Sequence, residues 1–113
     1  LILNKEEIER IGKENYRNAA RSLMDKYGIE TIAVTLGDQG SCVFGDNEEH
    51  FIKARPTSVI DSTGAGDAYS AGFLAAYLKG KDLLTCGMWG NRTAESCIVT
   101  MGAVDYQIPK NLI

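Results

Sequence analysis

A run of β-branched and small apolar residues, Thr31-Ile32-Ala33-Val34-Thr35-Leu36, constrains the fold more than any other segment. The run contains no charged residue, and so it predicts a strand that is buried on both faces. A helical pattern from about Glu14 to Lys26 comes just before it, and Gly28 is positioned to end that helix. A helix followed by a doubly buried strand is typical of a parallel α/β sheet covered by helices.

The remaining segments predict further helices and strands of the same architecture. Asn4 is a favourable N-cap for a helix through Ile11, with acidic residues in its first turn and Gly12 as its stop. The other predicted elements are strands at 41–44, 51–54 and 59–60, a polar hairpin turn at 45–49, and helices at about 67–79 and 83–99.

Length and charge exclude several classes of protein. The 113 residues are enough for one domain, 1–113, and 12 Lys+Arg against 15 Asp+Glu leave no basic excess for binding nucleic acid. No apolar run is long enough to span a bilayer, and the first residues lack the pattern of a signal peptide. The sequence therefore predicts a soluble, cytoplasmic domain with no nucleic-acid or membrane partner.

The three cysteines and the single histidine predict no metal site. Cys42, Cys86 and Cys97 show neither Cys-x-x-Cys nor Cys/His ligand spacing. Cys86 and Cys97 would lie about 16 Å apart along one helix, which is too far for a disulfide. We expect buried, reduced thiols, and a solvated His50 beside two glutamates.

The segment from Asp61 to Phe73 carries the strongest signal for chemistry. Two glycines just before a helix allow a sharp turn that exposes backbone N–H groups at the helix N-terminus, where anions bind. Asp67 falls in the first helical turn, where the helix dipole favours an ionised carboxylate. Such a carboxylate could accept a proton from a hydroxyl group that attacks a bound phosphoryl group.

Simpler interpretations of this segment remain open. Asp67 could cap its helix, with roughly even odds from local chemistry alone. A dinucleotide-binding fingerprint is disfavoured because Tyr69 stands where a small residue is needed, and no Gly-Lys-Ser/Thr motif is present for a P-loop. The residues thus indicate an anion site without naming the enzyme.

Three motifs together resemble the ribokinase-like (PfkB) carbohydrate kinases. The segment 61–73 is similar to the family's C-terminal signature, Asn4-Lys5-Glu6-Glu7 to its Asn-x-x-Glu motif, and 34–40 to its Thr-x-Gly-x-x-Gly turn. With the Gly102-Ala103 ending, the resemblance covers essentially the whole chain. It implies part of a three-layer α/β/α fold, namely the C-terminal portion of a mostly parallel sheet with flanking helices and a β-hairpin.

The resemblance implies phosphoryl transfer from ATP to a hydroxymethyl group of a sugar. Asp67 would then deprotonate the acceptor hydroxyl, and the amides of Gly64, Ala65 and Gly66 would form the anion hole. Asn4 and Glu7 would help to place Mg²⁺ through water. The same Asn-x-x-Glu spacing also has the form of a helix capping box, and both roles can coexist.

Further site residues follow from the same resemblance. Thr35 and Gly37 match positions near the ATP phosphates and ribose, and Asn91 is a plausible contact in the adenine pocket. Asp61 and Thr63 match positions whose oxygens bind a monovalent cation such as K⁺ in several members, together with the chain around Gly102-Ala103. Trp89 is expected to pack in the core.

Members of the resembled family are considerably longer than this chain. We therefore expect a C-terminal ATP-binding portion without the N-terminal substrate and lid portion, and little or no activity from it alone. A homodimer of the longer parent is compatible with this interpretation. Alternatives are a nucleoside kinase acting on an adenosine-like acceptor, and a nucleotide-binding module that lost phosphotransfer. A nicotinamide-dependent oxidoreductase is disfavoured.

Overall fold

The computed structural model describes residues 1–55 and 64–99, with side chains described up to residue 95. The elements in these residues are β1 (Ile2–Asn4), α1 (Lys5–Gly12), α2 (Tyr16–Tyr27), β2 (Ile32–Thr35), a 3₁₀ turn (Gly37–Gln39), β3 (Gly40–Gly45), β4 (Glu48–Lys53), α3 (Ala65–Leu78) and α4 (Leu83–Val99). The strand predicted at 59–60, and residues Asp61, Thr63 and Gly102-Ala103, lie outside the described part.

The described strands form one sheet in the order β1-β2-β3-β4. β1 and β2 are parallel, with Asn4 opposite Thr35, whereas β2–β3 and β3–β4 are antiparallel. The sequence predicts a mostly parallel sheet, but the 3₁₀ turn and the hairpin each reverse the chain, so only one described pairing is parallel. As a result, the carboxyl ends of β1, β2 and β4 meet at the same edge of the sheet.

Alternating side chains of the central strands build two cores, one on each face of the sheet. On one face, Ile32 and Val34 of β2 pack with α1 and α2. On the other face, Ala33 and Val43 pack with Tyr69, Phe73 and other residues of α3 and α4. The doubly buried strand and the α/β/α layering are therefore confirmed.

The ends of the helices follow from local capping chemistry. α2 begins after Asn15, whose side chain accepts a hydrogen bond from the Asn18 N–H, and ends at Gly28 with a positive φ of 65°. α3 begins at Ala65, two residues before the predicted start at Asp67, because Gly64 adopts a φ of 86° and completes the turn. α4 occupies the predicted range 83–99.

Glycines bring α3 and α4 into close contact with their neighbours. A Cβ added at Gly72 would overlap the Thr93 side chain and the Trp89 carbonyl oxygen. A Cβ at Gly90 would lie 2.7–2.9 Å from the Tyr69 ring. Gly90 weakens the helical pattern in the sequence. In the structure it lies against the Tyr69 ring, which would have to move to make room for a larger residue.

The described cysteines are buried free thiols, as predicted. Burial raises the pKa of Cys42 to about 11 and also raises that of Cys86. His50 is half-buried rather than fully solvated, with its Nε2 2.8 Å from Glu48 Oε1. None of the helices in the described residues has the length and hydropathy to cross a bilayer.

Replacing Gly72 with Ala tests the close packing of α3 on α4. The added methyl group should cost about 1–2 kcal/mol of unfolding free energy in net terms, because overlap outweighs the helix-propensity gain of alanine. Gly66→Ala is the matched control, because a Cβ there meets no atom within 4 Å. Urea denaturation would measure both variants, and equal stability of the two would contradict the packing described.

Candidate active site

A cleft of about 810 Å³ lies at the edge of the sheet where β1, β2 and β4 end. Six of the residues that the sequence predicts for a site line it: Asn4, Thr35, Gly37, Ala65, Gly66 and Asn91. These residues come from four separate segments of the chain. The fold thus brings most of the described candidates to one place, while Glu7, Gly64 and Asp67 lie next to lining residues.

The N-terminus of α3 lies at this cleft, and its first backbone N–H groups have no acceptor among the described residues. Its N-cap is Gly64, which has no side chain to accept a hydrogen bond, and the first intrahelical bond runs from Ala68 N–H to Gly64 O. The N–H groups of Ala65 and Gly66 have no acceptor among the described residues, and both residues line the cleft. A helix N-terminus in this condition attracts an anion.

Asp67 is the third residue of α3 and is exposed. The interpretation of Asp67 as a helix cap is not supported, because Gly64 occupies the cap position and no side chain makes a capping hydrogen bond. Within the described part of the chain, the Asp67 carboxylate has no hydrogen-bond or ion-pair partner. It is therefore free to act as a proton acceptor beside the unpaired amides.

Asn4 and Glu7 form the capping box that their spacing permits. The Glu7 N–H donates to Asn4 Oδ1 at 2.7 Å, and the Asn4 N–H donates to Glu7 Oε1 at 2.9 Å. Two side-chain atoms have no partner among the described residues: Nδ2 of Asn4 and Oε2 of Glu7. The box therefore leaves polar groups available at the mouth of the cleft.

These two residues fit a water-mediated Mg²⁺ better than a direct one. Among the described residues, no group of three His, Cys, Asp or Glu side chains could hold a metal ion. Mg²⁺ keeps several waters and is commonly held by one or two carboxylates plus substrate phosphates. Asn4 and Glu7 could supply such outer contacts.

The turn after β2 shapes the floor of the cleft. Gly37 has a φ of 63°, and Leu36 N–H donates to Gly40 O at 2.8 Å to close the turn. Gly40 has a φ of 120°, and a Cβ there would overlap the Ile52 carbonyl oxygen. Gly40 therefore shapes the turn, which lies within the Thr-x-Gly-x-x-Gly motif at 34–40.

A buried chain of hydrogen bonds lies directly behind the cleft. The Tyr69 hydroxyl donates to Ser41 Oγ at 3.0 Å, Ser41 donates to Asn91 Oδ1 at 2.9 Å, and Asn91 Nδ2 donates to Ile52 O at 2.9 Å. Burial raises the pKa of Tyr69, so its hydroxyl stays protonated and can donate. This series of hydrogen bonds links α3 to α4 through β3 and β4.

These buried hydrogen bonds change the predicted role of Asn91. The sequence predicts an adenine contact, but the side chain is only 4% exposed and its amide oxygen and nitrogen both bind protein. The polar chain itself was not predicted. Its only signals in the sequence are a serine beginning an apolar strand and an asparagine within an apolar helix.

A second unpredicted group consists of Arg55, Arg92 and Glu95. The Glu95 carboxylate is nearly buried and accepts bonds from Arg55 Nε at 2.8 Å, from the Arg55 backbone N–H at 3.0 Å and from Arg92 Nη1 at 3.0 Å. Arg55 and Glu95 line the cleft.

Trp89 is 5% exposed and packs in the core, as predicted.

Comparison with known proteins agrees with this arrangement. A family model described as pfkB family carbohydrate kinase matches residues 1–111. The chain belongs to this family. Within the pfkB family, an uncharacterized sugar kinase of Archaeoglobus fulgidus is 47% identical over 100 residues, which are 88% of this chain and 40% of the relative.

Solved pfkB-type kinases share the fold. A nucleoside kinase of Methanocaldococcus jannaschii is 38% identical with a TM-score of 0.75, covering 91% of this chain and 34% of that one. A fructokinase of Vibrio cholerae, bound to fructose, ADP and calcium, is 25% identical with a TM-score of 0.80, covering 90% and 35%. This pfkB chain thus spans well under half the length of these relatives.

Removing the central hydroxyl of the buried polar chain should destabilise the protein. Ser41→Ala leaves both the Tyr69 hydroxyl and the Asn91 amide oxygen without partners, at a cost of about 2–3 kcal/mol. Tyr69→Phe removes one donor and should cost about 1 kcal/mol. Chemical denaturation would measure both.

Ser22→Ala is the matched control, because Ser22 is exposed and bonds only to Glu14. It should change the unfolding free energy by less than about 0.5 kcal/mol. The polar chain would have no stabilising role if Ser41→Ala were as mild as this control.

Proposed function

We propose that this chain provides the nucleotide-binding and catalytic part of an ATP-dependent kinase that phosphorylates a hydroxymethyl group of a sugar. The observation that carries the proposal is the N-terminus of α3, where the amides of Ala65 and Gly66 adjoin the exposed Asp67 and none of these groups has a partner among the described residues. Membership of a carbohydrate kinase family supports it.

The reaction assigns a distinct task to each group. Asp67 accepts the proton of the acceptor hydroxyl as that oxygen forms a bond to the γ-phosphorus of ATP. The bond from the γ-phosphorus to the bridging oxygen breaks, and ADP leaves. The amides of Gly64, Ala65 and Gly66 stabilise the negative charge on the transferred phosphoryl group.

The nucleotide occupies the cleft beside these groups. Thr35 and Gly37 contact the phosphates and ribose, and the small exposed part of Asn91 borders the base. Asn4 and Glu7 would hold Mg²⁺ through water, and the ion would neutralise phosphate charge there. The ADP and calcium ion bound in the Vibrio cholerae fructokinase support this assignment. Asp61 and Thr63 remain proposed oxygen ligands of a monovalent cation such as K⁺.

A nucleoside is the second candidate for the acceptor. The Archaeoglobus relative is described as a sugar kinase, whereas the Methanocaldococcus protein is a nucleoside kinase. The described residues form the nucleotide side of the reaction, and they do not distinguish the two acceptors. Phosphoryl transfer from ATP to a panel of sugars and nucleosides would separate them.

Replacing Asp67 with Asn tests the proposed base. The amide cannot accept the proton, so kcat of the longer parent kinase should fall about 10³-fold, while the Kd for ATP stays nearly unchanged. Steady-state kinetics and titration calorimetry would measure the two quantities separately.

Asp25→Asn is the matched control, since Asp25 is an exposed aspartate on α2, away from the cleft. It should leave both kcat and Kd as they are. Survival of turnover in the Asp67 variant of the longer parent kinase would show that this carboxylate is not the base. ATP binding without turnover by the unchanged parent would indicate a non-catalytic nucleotide-binding module.

A further inference from the structure

Arg55 is held in one orientation at the wall of the cleft. Its Nε donates to Glu95 Oε1 at 2.8 Å, and its backbone N–H donates to Glu95 Oε2 at 3.0 Å, so one carboxylate fixes both the chain and the side chain. The Glu95 side chain is 8% exposed, whereas that of Arg55 is 61% exposed. The Arg55 guanidinium is thus held by a buried carboxylate at its Nε edge, while the rest of the exposed side chain lines the cleft.

The cleft has two different ends along the edge of the sheet. Asn4 and Thr35 lie at the carboxyl ends of β1 and β2, whereas Arg55 follows β4 at the opposite side of the described sheet. Three strand spacings separate these sides, which is about 14 Å. A nucleoside triphosphate is long enough to lie across both ends.

The composition of each end favours a different part of the nucleotide. Asn4 and Thr35, which are proposed above to act on the phosphates and their Mg²⁺, lie at one end. Arg55 instead contacts α4, the helix that also brings Asn91 and Ala94 to the cleft. Glu95 binds the guanidinium of Arg55 through its Nε edge, and so leaves the flat face of the guanidinium available for stacking.

We propose that Arg55, oriented by Glu95, binds the nucleobase of the nucleotide by stacking against its ring at the β4 end of the cleft. The inference rests on the proposed ATP-binding function. Arginine stacks on aromatic rings through its planar guanidinium, and lysine does not offer the same surface. Arg55 is thus a binding residue for the base rather than part of the phosphoryl-transfer machinery.

Two ligands separate binding of the base from binding of the phosphates. ATP contains both, whereas inorganic tripolyphosphate contains the phosphates alone. In calorimetry with Mg²⁺, Arg55→Ala should weaken ATP binding about tenfold and leave tripolyphosphate binding unchanged. Arg55→Lys keeps the charge without the plane, and should weaken ATP binding nearly as much.

The fold should survive these changes, because Arg92 still bonds Glu95 when the Arg55 side chain is removed. Thermal unfolding of the unliganded variants would establish this. Arg17→Ala is the matched control, since Arg17 is an exposed arginine on α2 that pairs with Glu49 instead. It should change neither binding constant.

The outcomes distinguish this inference from the function on which it rests. Unchanged ATP affinity in Arg55→Ala, or equal weakening of ATP and tripolyphosphate, would overturn the stacking role while leaving ATP binding intact. Full affinity in Arg55→Lys would show that charge alone matters, and would also overturn it. Failure of the unchanged protein to bind ATP would contradict the proposed function itself.

Discussion

Burial of the central strands on both faces is the constraint from which the rest of this structure follows. Because β2 and β3 are covered by α1 and α2 on one side and by α3 and α4 on the other, the faces of these two strands are filled by core side chains. The edge at which β1, β2 and β4 end remains open. Polar groups gather there because strand ends and helix starts leave backbone donors and acceptors unpaired.

Two helix N-termini lie at this edge, and they differ in how their backbone N–H groups are capped. At α1, Asn4 and Glu7 satisfy each other's backbone N–H groups in a capping box. At α3, the cap is a glycine, so the first amides have no acceptor among residues 1–55 and 64–95 and lie beside an exposed carboxylate. A side-chain cap in place of Gly64 would add only a few tenths of a kcal/mol, and the φ of 86° there disfavours any residue with a Cβ. The missing cap is understandable if an anionic ligand takes its place.

The sequence predicts the parts that depend on local pattern. Burial of Ile32, Ala33 and Val34, the start of α1 and the range of α4 follow from composition, capping residues and periodicity, and the structure has all three. The predicted stop at Gly12 is wrong, because Gly12 is the last residue of α1 and Lys13 adopts the left-handed φ of 55° that ends the helix. It does not predict contacts between distant segments. Ser41 meets Tyr69 and Asn91 across 28 and 50 residues, and Arg55 meets Glu95 across 40. No local propensity predicts such pairs, since they form only when α3 and α4 pack on β3 and β4.

The central claim is that the uncapped N-terminus of α3 receives the phosphates of a nucleotide. The most direct test is a titration of the ¹⁵N-labelled protein with ATP and Mg²⁺, followed through its backbone amide resonances. The account predicts large shifts for Ala65 and Gly66, and none for Gly28, which ends α2 on the opposite face of the sheet. ATP binding that leaves the amides of Ala65 and Gly66 unmoved would contradict it.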